Sequence, residues 1–287
     1  MDFLKVLILG IVEGITEFLP ISSTGHLILV GEFLTLEPKE FQNAFNVIIQ
    51  LGAILSVVVL YFNTLNPLDK KKLVKRVGKE KADELSFLER FKYLDKKTMR
   101  LIAKIIVGVI PAMVLGLLFD DLIDKYLFNK ITVAIALIFY GIIIIIMERR
   151  NKTKSFKFET LDEISLKTAF FIGFFQCLAM VPGTSRSAAT IIGAMILGCS
   201  RTASAEFSFF LAIPTMIGAT LLKIIKVGLA FTSYQWILIL IGSVVSFAVA
   251  YAVIVKFMGY IKKHDFQVFG IYRIILGIIV LISAVFI

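Results

Sequence analysis

Six stretches of this chain, at about 44–62, 101–119, 131–148, 204–226, 236–256 and 267–287, are apolar over a length that crosses a bilayer. Residues of the set AVILMFWYC make up 58% of the 287 positions, against roughly 45–50% in a soluble domain even when glycine is counted. Only 18% are charged, and mean hydropathy is +0.90. A water-soluble fold of this size has no interior large enough to hide that surface, whereas hydrocarbon demands it. The sequence predicts an all-α polytopic membrane protein. Its hydrophobic N-terminal run is interrupted by Glu13 and Glu17 and leads to no small-residue cleavage site, so it reads as part of the fold and not as a signal peptide.

Two further apolar regions, 3–34 and 166–199, behave differently. Each is broken near its middle by proline and a small polar cluster, PISSTGH at 20–26 and PGTSRS at 182–187. A straight helix through either would bury several polar groups in lipid and lose backbone hydrogen bonds at the proline. Each arm has roughly 14–17 residues, and at about 1.5 Å per residue it reaches two-thirds or less of the way across a core of roughly 30 Å. The economical reading is a re-entrant helix–turn–helix with its polar tip at membrane depth. Irregular backbone is tolerated there only against protein or water, which makes each tip a candidate site.

The formal net charge is +10, and its placement decides what it means. Twelve Lys or Arg lie within 63–100 and five within 149–157. Clusters that flank apolar spans follow the positive-inside rule, so no nucleic-acid partner is expected. The loops 63–100, 149–165 and 257–263 are basic, while 120–130 holds Asp120, Asp121 and Asp124 and the 227–235 connection is nearly uncharged. If the first hairpin enters from outside, every basic loop falls inside and both termini fall outside. Cys177 and Cys199 sit in apolar surroundings without metal-ligand spacing and read as small hydrophobes.

The chain also repeats. A shift of 162 residues places Pro20 on Pro182, Ser23 on Ser185, Gly31 on Gly193 and Phe45 on Phe207. Each half, 1–150 and 151–287, is then one re-entrant hairpin followed by three spans. Three is odd, so the second copy is inverted. Inverted repeats with broken helices place a site near the midplane, where the two tips meet.

At the first tip, Glu13 and Glu17 are four apart and share a helix face. A stripe facing a neighbouring helix is the plain explanation. Two like charges in a low-dielectric setting are costly without a counter-charge, however, and intramembrane carboxylates mark function. Such a pair suits a divalent cation, or a base and its orienting partner. Ser22, Ser23 and Thr24 then stand at the start of the next helix, with Thr184 and Ser185 in the same place at the second tip. Capping explains those hydroxyls, but it explains neither His26 nor Arg186. Two helix N-termini plus an arginine form an anion site suited to phosphate. Carboxylates, serine and histidine complete a set suited to phosphoryl transfer, where positioning and charge stabilisation dominate. A site inside the bilayer points to a substrate with a lipid tail and a phosphate head.

These residues carry a resemblance. EGITEFLPISSTGH at 13–26 and PGTSRS at 182–187 are similar to the two signature motifs of the undecaprenyl-diphosphatase family, the bacitracin-resistance proteins, and the likeness extends through AEFSFFLAIP at 205–214. The resemblance implies removal of one phosphate from undecaprenyl diphosphate in the bacterial cytoplasmic membrane, which regenerates the lipid carrier for cell-wall synthesis. It implies that Glu13 and Glu17 form an acidic pair for a divalent cation, Mg2+ or Ca2+. Ser23 becomes the candidate nucleophile, His26 the proton-transfer partner and Arg186 the phosphate clamp. Ser22, Thr24, Gly183, Thr184, Ser185 and Ser187 would line the pocket. One departure is Ala188, where the family commonly has glycine; no chemical group is lost by it.

Two questions stay open at this level. Serine attack and attack by metal-activated water both fit the residues. A lipid or anion transporter with the acidic pair as its coupling site is the rival reading, because broken-helix inverted repeats are transporter architecture. Partners beyond the polyprenyl diphosphate and membrane lipids reduce to a homodimer that the sequence leaves open. Since the first hairpin enters from outside, the site is expected to open outward.

Overall fold

A computed structural model describes the chain except for residues 32, 128, 152–154, 228–230 and 287. Among the described residues all regular structure is helical apart from one isolated bridge between Phe158 and Cys199. Helices α1 (Asp2–Thr16) and α2 (Ser23–Gly31) form the first hairpin, followed by α3 (Lys39–Leu60). Short helices α4 (Phe62–Leu65), α5 (Lys70–Val77), α6 (Lys79–Glu84) and α7 (Phe87–Arg90) lead to α8 (Lys96–Leu127) and α9 (Lys130–Asn151). The second hairpin is α10 (Leu166–Gln176) and α11 (Arg186–Ile196), and the chain ends with α12 (Arg201–Val227), α13 (Ser233–Ile261) and α14 (Gln267–Phe286). Helices α3, α8, α9, α12, α13 and α14 are long and apolar enough to cross a membrane, so the protein is multi-pass.

The span ends differ from the sequence expectation at one place that matters. Helix α8 begins at Lys96 and runs to Leu127, so the acidic 120–127 segment is helical and not a loop. No proline or glycine interrupts 117–127, and the helix simply continues past its lipid-facing part. The side chains of Asp120, Asp121 and Asp124 lie outside the described residues, as do 228–230 of the 227–235 connection and 152–154 of the 149–165 loop. The basic 63–100 segment folds into a helical cap. Asp69 caps α5 through Lys72 N–H, and Ser86 and Glu89 form a capping box on α7.

Both hairpins are closed at their open ends. Lys5 Nζ donates to the Thr35 carbonyl at 2.6 Å, joining the start of α1 to the chain beyond α2. At the second hairpin, Lys157 N–H donates to Gly198 O and Ser200 N–H to Phe158 O. On α1, Phe3, Leu7, Ile11 and Ile15 form an exposed stripe, while Val6, Leu9, Gly10, Glu13 and Gly14 face the protein. That division is the one a helix with a single protein-facing side requires.

Each hairpin packs on a span from the other half of the chain. Helix α1 lies on α13 and α10 lies on α8. Glycine permits both contacts: a Cβ on Gly10 would stand 2.8 Å from Gly242 O, and one on Gly173 would clash with Gly108 O. Helices α9 and α14 pair with each other, as do α3 and α12, and α3 also packs on α13 as α12 does on α8. Around the two turns the core is aromatic, with Phe18, Phe207, Phe209 and Phe210 all inaccessible to solvent. Phe18 meets Phe209 edge to face, with centroids 5.3 Å apart.

Candidate active site

The two turns are built alike. Helix α1 ends at Thr16, and Glu17 closes it by donating its N–H to Glu13 O. Ser22 then adopts φ of +73°, and its Oγ accepts from Gly25 N–H at 3.3 Å. At the second turn Ser185 also has φ of +73°, and its Oγ accepts from Ala188 N–H at 3.2 Å. A positive φ on a non-glycine residue is strained and persists only where surroundings enforce it. The two caps are 163 residues apart, one more than the sequence shift suggests. Cap for cap, Ser22 corresponds to Ser185, which places Ser23 opposite Arg186 and Glu13 opposite Gln176.

Glu17 joins the turns. Its Oε2 accepts from Ser23 Oγ at 2.7 Å, and its Oε1 accepts from Arg186 Nη2 at 3.2 Å. Arg186 is fixed further by donating from Nη1 to Ser208 O at 2.9 Å and by lying over the Phe18 ring, 5.8 Å from its centroid. Ser208 Oγ is in turn 2.6 Å from Thr190 Oγ1. Arg186 Nε is buried and has no hydrogen-bond partner. Ser187 Oγ donates to Leu19 O at 2.9 Å, a second tie from turn to turn.

A third element holds both turns. Arg273 of α14 is completely buried, and it donates from Nη1 to Pro20 O at 3.2 Å and from Nη2 to Gly183 O at 2.8 Å and Thr184 O at 3.0 Å. No carboxylate neutralises it among these bonds; its acceptors are backbone carbonyls of the two turns and, at 3.5 Å, of Ala136. Arg273 lies within the 267–287 span and is not among the residues that the sequence motifs single out. An arginine inside a span is itself a functional signal.

A cavity of about 250 Å³ opens at the turns. Glu17, Ser23, Thr24, Gly183, Ser185 and Arg186 line it, together with Gln50, Gln176 and Thr215 from neighbouring helices. The structure therefore brings together most of the residues singled out from sequence. Ser22, Thr184 and Ser187 do not line it, contrary to expectation. Ser22 Oγ is committed to the cap and Ser187 Oγ to Leu19 O, while the Thr184 side chain is fully buried beside them. These three build the turns whose other residues face the cavity.

Glu13 and His26 stand apart from the cavity wall. Glu13 is fully buried next to the Glu17 carboxyl, and neither of its oxygens has a hydrogen-bond partner. His26 stacks on Tyr272 of α14, its Nε2 2.6 Å from the Tyr272 hydroxyl and its Nδ1 2.7 Å from Ser22 O. The carbonyl can only accept, so Nδ1 carries a proton; in the neutral ring Nε2 then accepts from Tyr272. Histidine thus anchors α2 against α14.

A larger cavity of about 590 Å³ lies at the basic end, lined by residues such as Lys72, Asp95, Lys97 and Asp162. It holds the ion pair of Lys97 and Asp162, 2.6 Å apart, and Lys72 donates there to Thr64 O, Asn66 O and Thr98 Oγ1. The turns differ in carrying Ser23, Glu17 and Arg186 on one cavity wall. Among the described residues no cluster of three or more His, Cys, Asp or Glu stands ready for a metal. Glu13 and Glu17 supply two carboxylates, and the Glu13 oxygens have free lone pairs. That set fits a hard cation whose remaining ligands are water and substrate phosphate, the usual arrangement for Mg2+.

The comparisons agree with this chemistry. Residues 6–279 match the family described as bacitracin resistance protein BacA. "Undecaprenyl-diphosphatase 1" of Clostridioides difficile (strain 630) is 52% identical over 282 residues, covering 98% of this chain and 96% of that protein. An "Undecaprenyl-diphosphatase" of Enterococcus faecalis is 50% identical over 283 residues, covering 98% and 97%. Another, from Fusobacterium nucleatum subsp. nucleatum, is 56% identical over 285 residues, covering 96% and 98%.

Proposed function

The chain belongs to the bacitracin resistance protein BacA family, and from that premise we propose how its central site works. It is an integral membrane phosphatase that hydrolyses undecaprenyl diphosphate to the monophosphate and inorganic phosphate. The observation that carries the assignment of the site is the bridge from Ser23 through Glu17 to Arg186 at the cavity wall.

Ser23 Oγ attacks the terminal phosphorus as Glu17 Oε2 takes its proton. The bond to the bridging oxygen breaks, and the lipid monophosphate leaves with the proton that Glu17 returns. Water then attacks the phosphoserine, giving a proton to Glu17 while Ser23 Oγ recovers one, and inorganic phosphate departs. Arg186, at the cavity wall, supplies positive charge to the phosphoryl oxygens. The geometry favours Glu17 over His26 as the base, because Glu17 is bonded to Ser23 and His26 is bonded to Tyr272. Glu13 and Glu17 would hold a divalent cation, Mg2+ or Ca2+, which when bound adds positive charge where the phosphoryl group gathers negative charge. Ser23→Ala tests the covalent route. Turnover is expected to fall at least a thousandfold, and near-normal turnover would transfer the attack to water.

The halves 1–150 and 151–287 are read as inverted repeats. The matching serine caps and the reciprocal packing of α1 on α13 and α10 on α8 support this. We infer from its basic loops that the protein lies in the bacterial cytoplasmic membrane with its termini outside, and that the site opens outward because the first hairpin, which supplies most of the catalytic groups, enters from that side.

A further inference from the structure

The wall of the catalytic cavity is of two kinds. The turns contribute Glu17, Ser23 and Arg186, charged or nucleophilic groups suited to the phosphate that is transferred. Three helices outside the turns contribute Gln50 from α3, Gln176 from the end of α10 and Thr215 from α12, set among Ala112, Met180 and Met216. The phosphatase reading gives these polar side chains no task.

Gln176 is the most telling of them. It is 2% exposed, and its Nε2 donates to Thr215 Oγ1 at 3.1 Å while Thr215 Oγ1 donates to Leu211 O at 2.7 Å. Its Oε1 has no partner. A buried polar atom without a partner calls for an explanation. A primary amide is neutral at every working pH and offers two N–H donors and one carbonyl. Turned one way it accepts from a protonated phosphate oxygen. Turned the other way it donates both N–H groups, and Thr215 O–H can then donate to it.

The substrate carries two phosphates with different fates. One is transferred; the other stays esterified to the lipid and has the apolar tail directly behind it. A site for the retained phosphate therefore needs donors beside an apolar wall, with no added buried charge. Resting on the phosphatase reading, we propose that Gln176, with Gln50 and Thr215, binds the lipid-linked phosphate of the substrate, while Arg186 and the turns bind the phosphate that leaves.

The two products separate these roles. Farnesyl monophosphate keeps the lipid-linked phosphate, and inorganic phosphate is the transferred one. Each is used as an inhibitor of phosphate release from undecaprenyl diphosphate by the purified full chain in detergent. Q176M raises the inhibition constant of farnesyl monophosphate about tenfold or more, the loss expected for hydrogen bonds to a charged group, and leaves that of inorganic phosphate within about twofold. Q50M and T215V show the same split at smaller size, and they bear the test if Q176M fails to fold by thermal unfolding and gel filtration. Unchanged inhibition by farnesyl monophosphate, or equal weakening of both inhibitors, overturns the proposal. If the wild-type chain released no phosphate, the phosphatase reading would fall instead. Direct binding of farnesyl monophosphate to wild type and Q176M would then decide this proposal separately.

Discussion

Arg186 donates from Nη2 to Glu17 Oε1 at 3.2 Å across 169 residues of chain, with both side chains nearly buried. This bond makes one site out of two turns that lie in different halves of the protein. It also holds a carboxylate and a cation together in an interior where neither is stable alone.

Arg186→Ala leaves Glu17 buried without its counter-charge. Removing one member of such a pair costs about 3–5 kcal/mol, so thermal unfolding in detergent shifts down markedly and phosphate release is lost. Arg186→Lys retains charge but not the fork that reaches Glu17 and Ser208 together. It is expected to fold and to lose turnover by about a hundredfold or more.

Arg273 is not itself part of the cavity wall, yet it holds Pro20, Gly183 and Thr184 by their carbonyls. Arg273→Met removes the clamp and leaves those acceptors buried. A loss of about 1–3 kcal/mol for each unsatisfied group predicts a lower unfolding temperature together with a lower kcat. Normal kcat with lowered stability would show that the clamp does not position the turns.

Glu13 has two buried oxygens without partners. Glu13→Gln keeps the size and shape of the buried side chain, so stability is expected to hold. Activity falls, and its rise with added Mg2+ or Ca2+ after chelation is lost. Turnover of this variant with an unaltered cation response would remove Glu13 from cation binding.

His26 and Tyr272 are bonded to each other and act as one device. His26→Ala and Tyr272→Phe each lower kcat by loosening α2 against α14. The double variant is expected to be no worse than His26→Ala alone, because residues that work through one contact are non-additive. Fully additive losses, read as phosphate release from the four proteins, would show separate roles.

The spans and both hairpins were legible because lipid enforces apolar length and rejects proline beside polar groups. Glu17, Ser23 and Arg186 were legible because charge and hydroxyl clusters inside apolar regions are rare. What escaped was set by contacts distant in sequence. Arg273 bonds carbonyls 90 and 253 positions away, and no local pattern points to a backbone acceptor. His26 shares its short segment with Ser23, yet the fold turns it to Tyr272, 246 residues on. The one-residue difference between the sequence shift and the serine caps has the same origin: identity aligned Ser23 with Ser185, while backbone conformation aligns Ser22 with it.

The central claim is that the diphosphate is cleaved where Glu17 joins the two turns. The direct measurement is phosphate release from undecaprenyl diphosphate by purified wild type and Glu17→Gln, with unfolding temperatures recorded alongside. The account predicts that wild type releases one phosphate per lipid and leaves the monophosphate. Glu17→Gln leaves Arg186 without its counter-charge and unfolds at a lower temperature; assayed where it is still folded, it is at least about a hundredfold slower. Binding of the lipid without phosphate release by wild type, or undiminished release by Glu17→Gln, would contradict it.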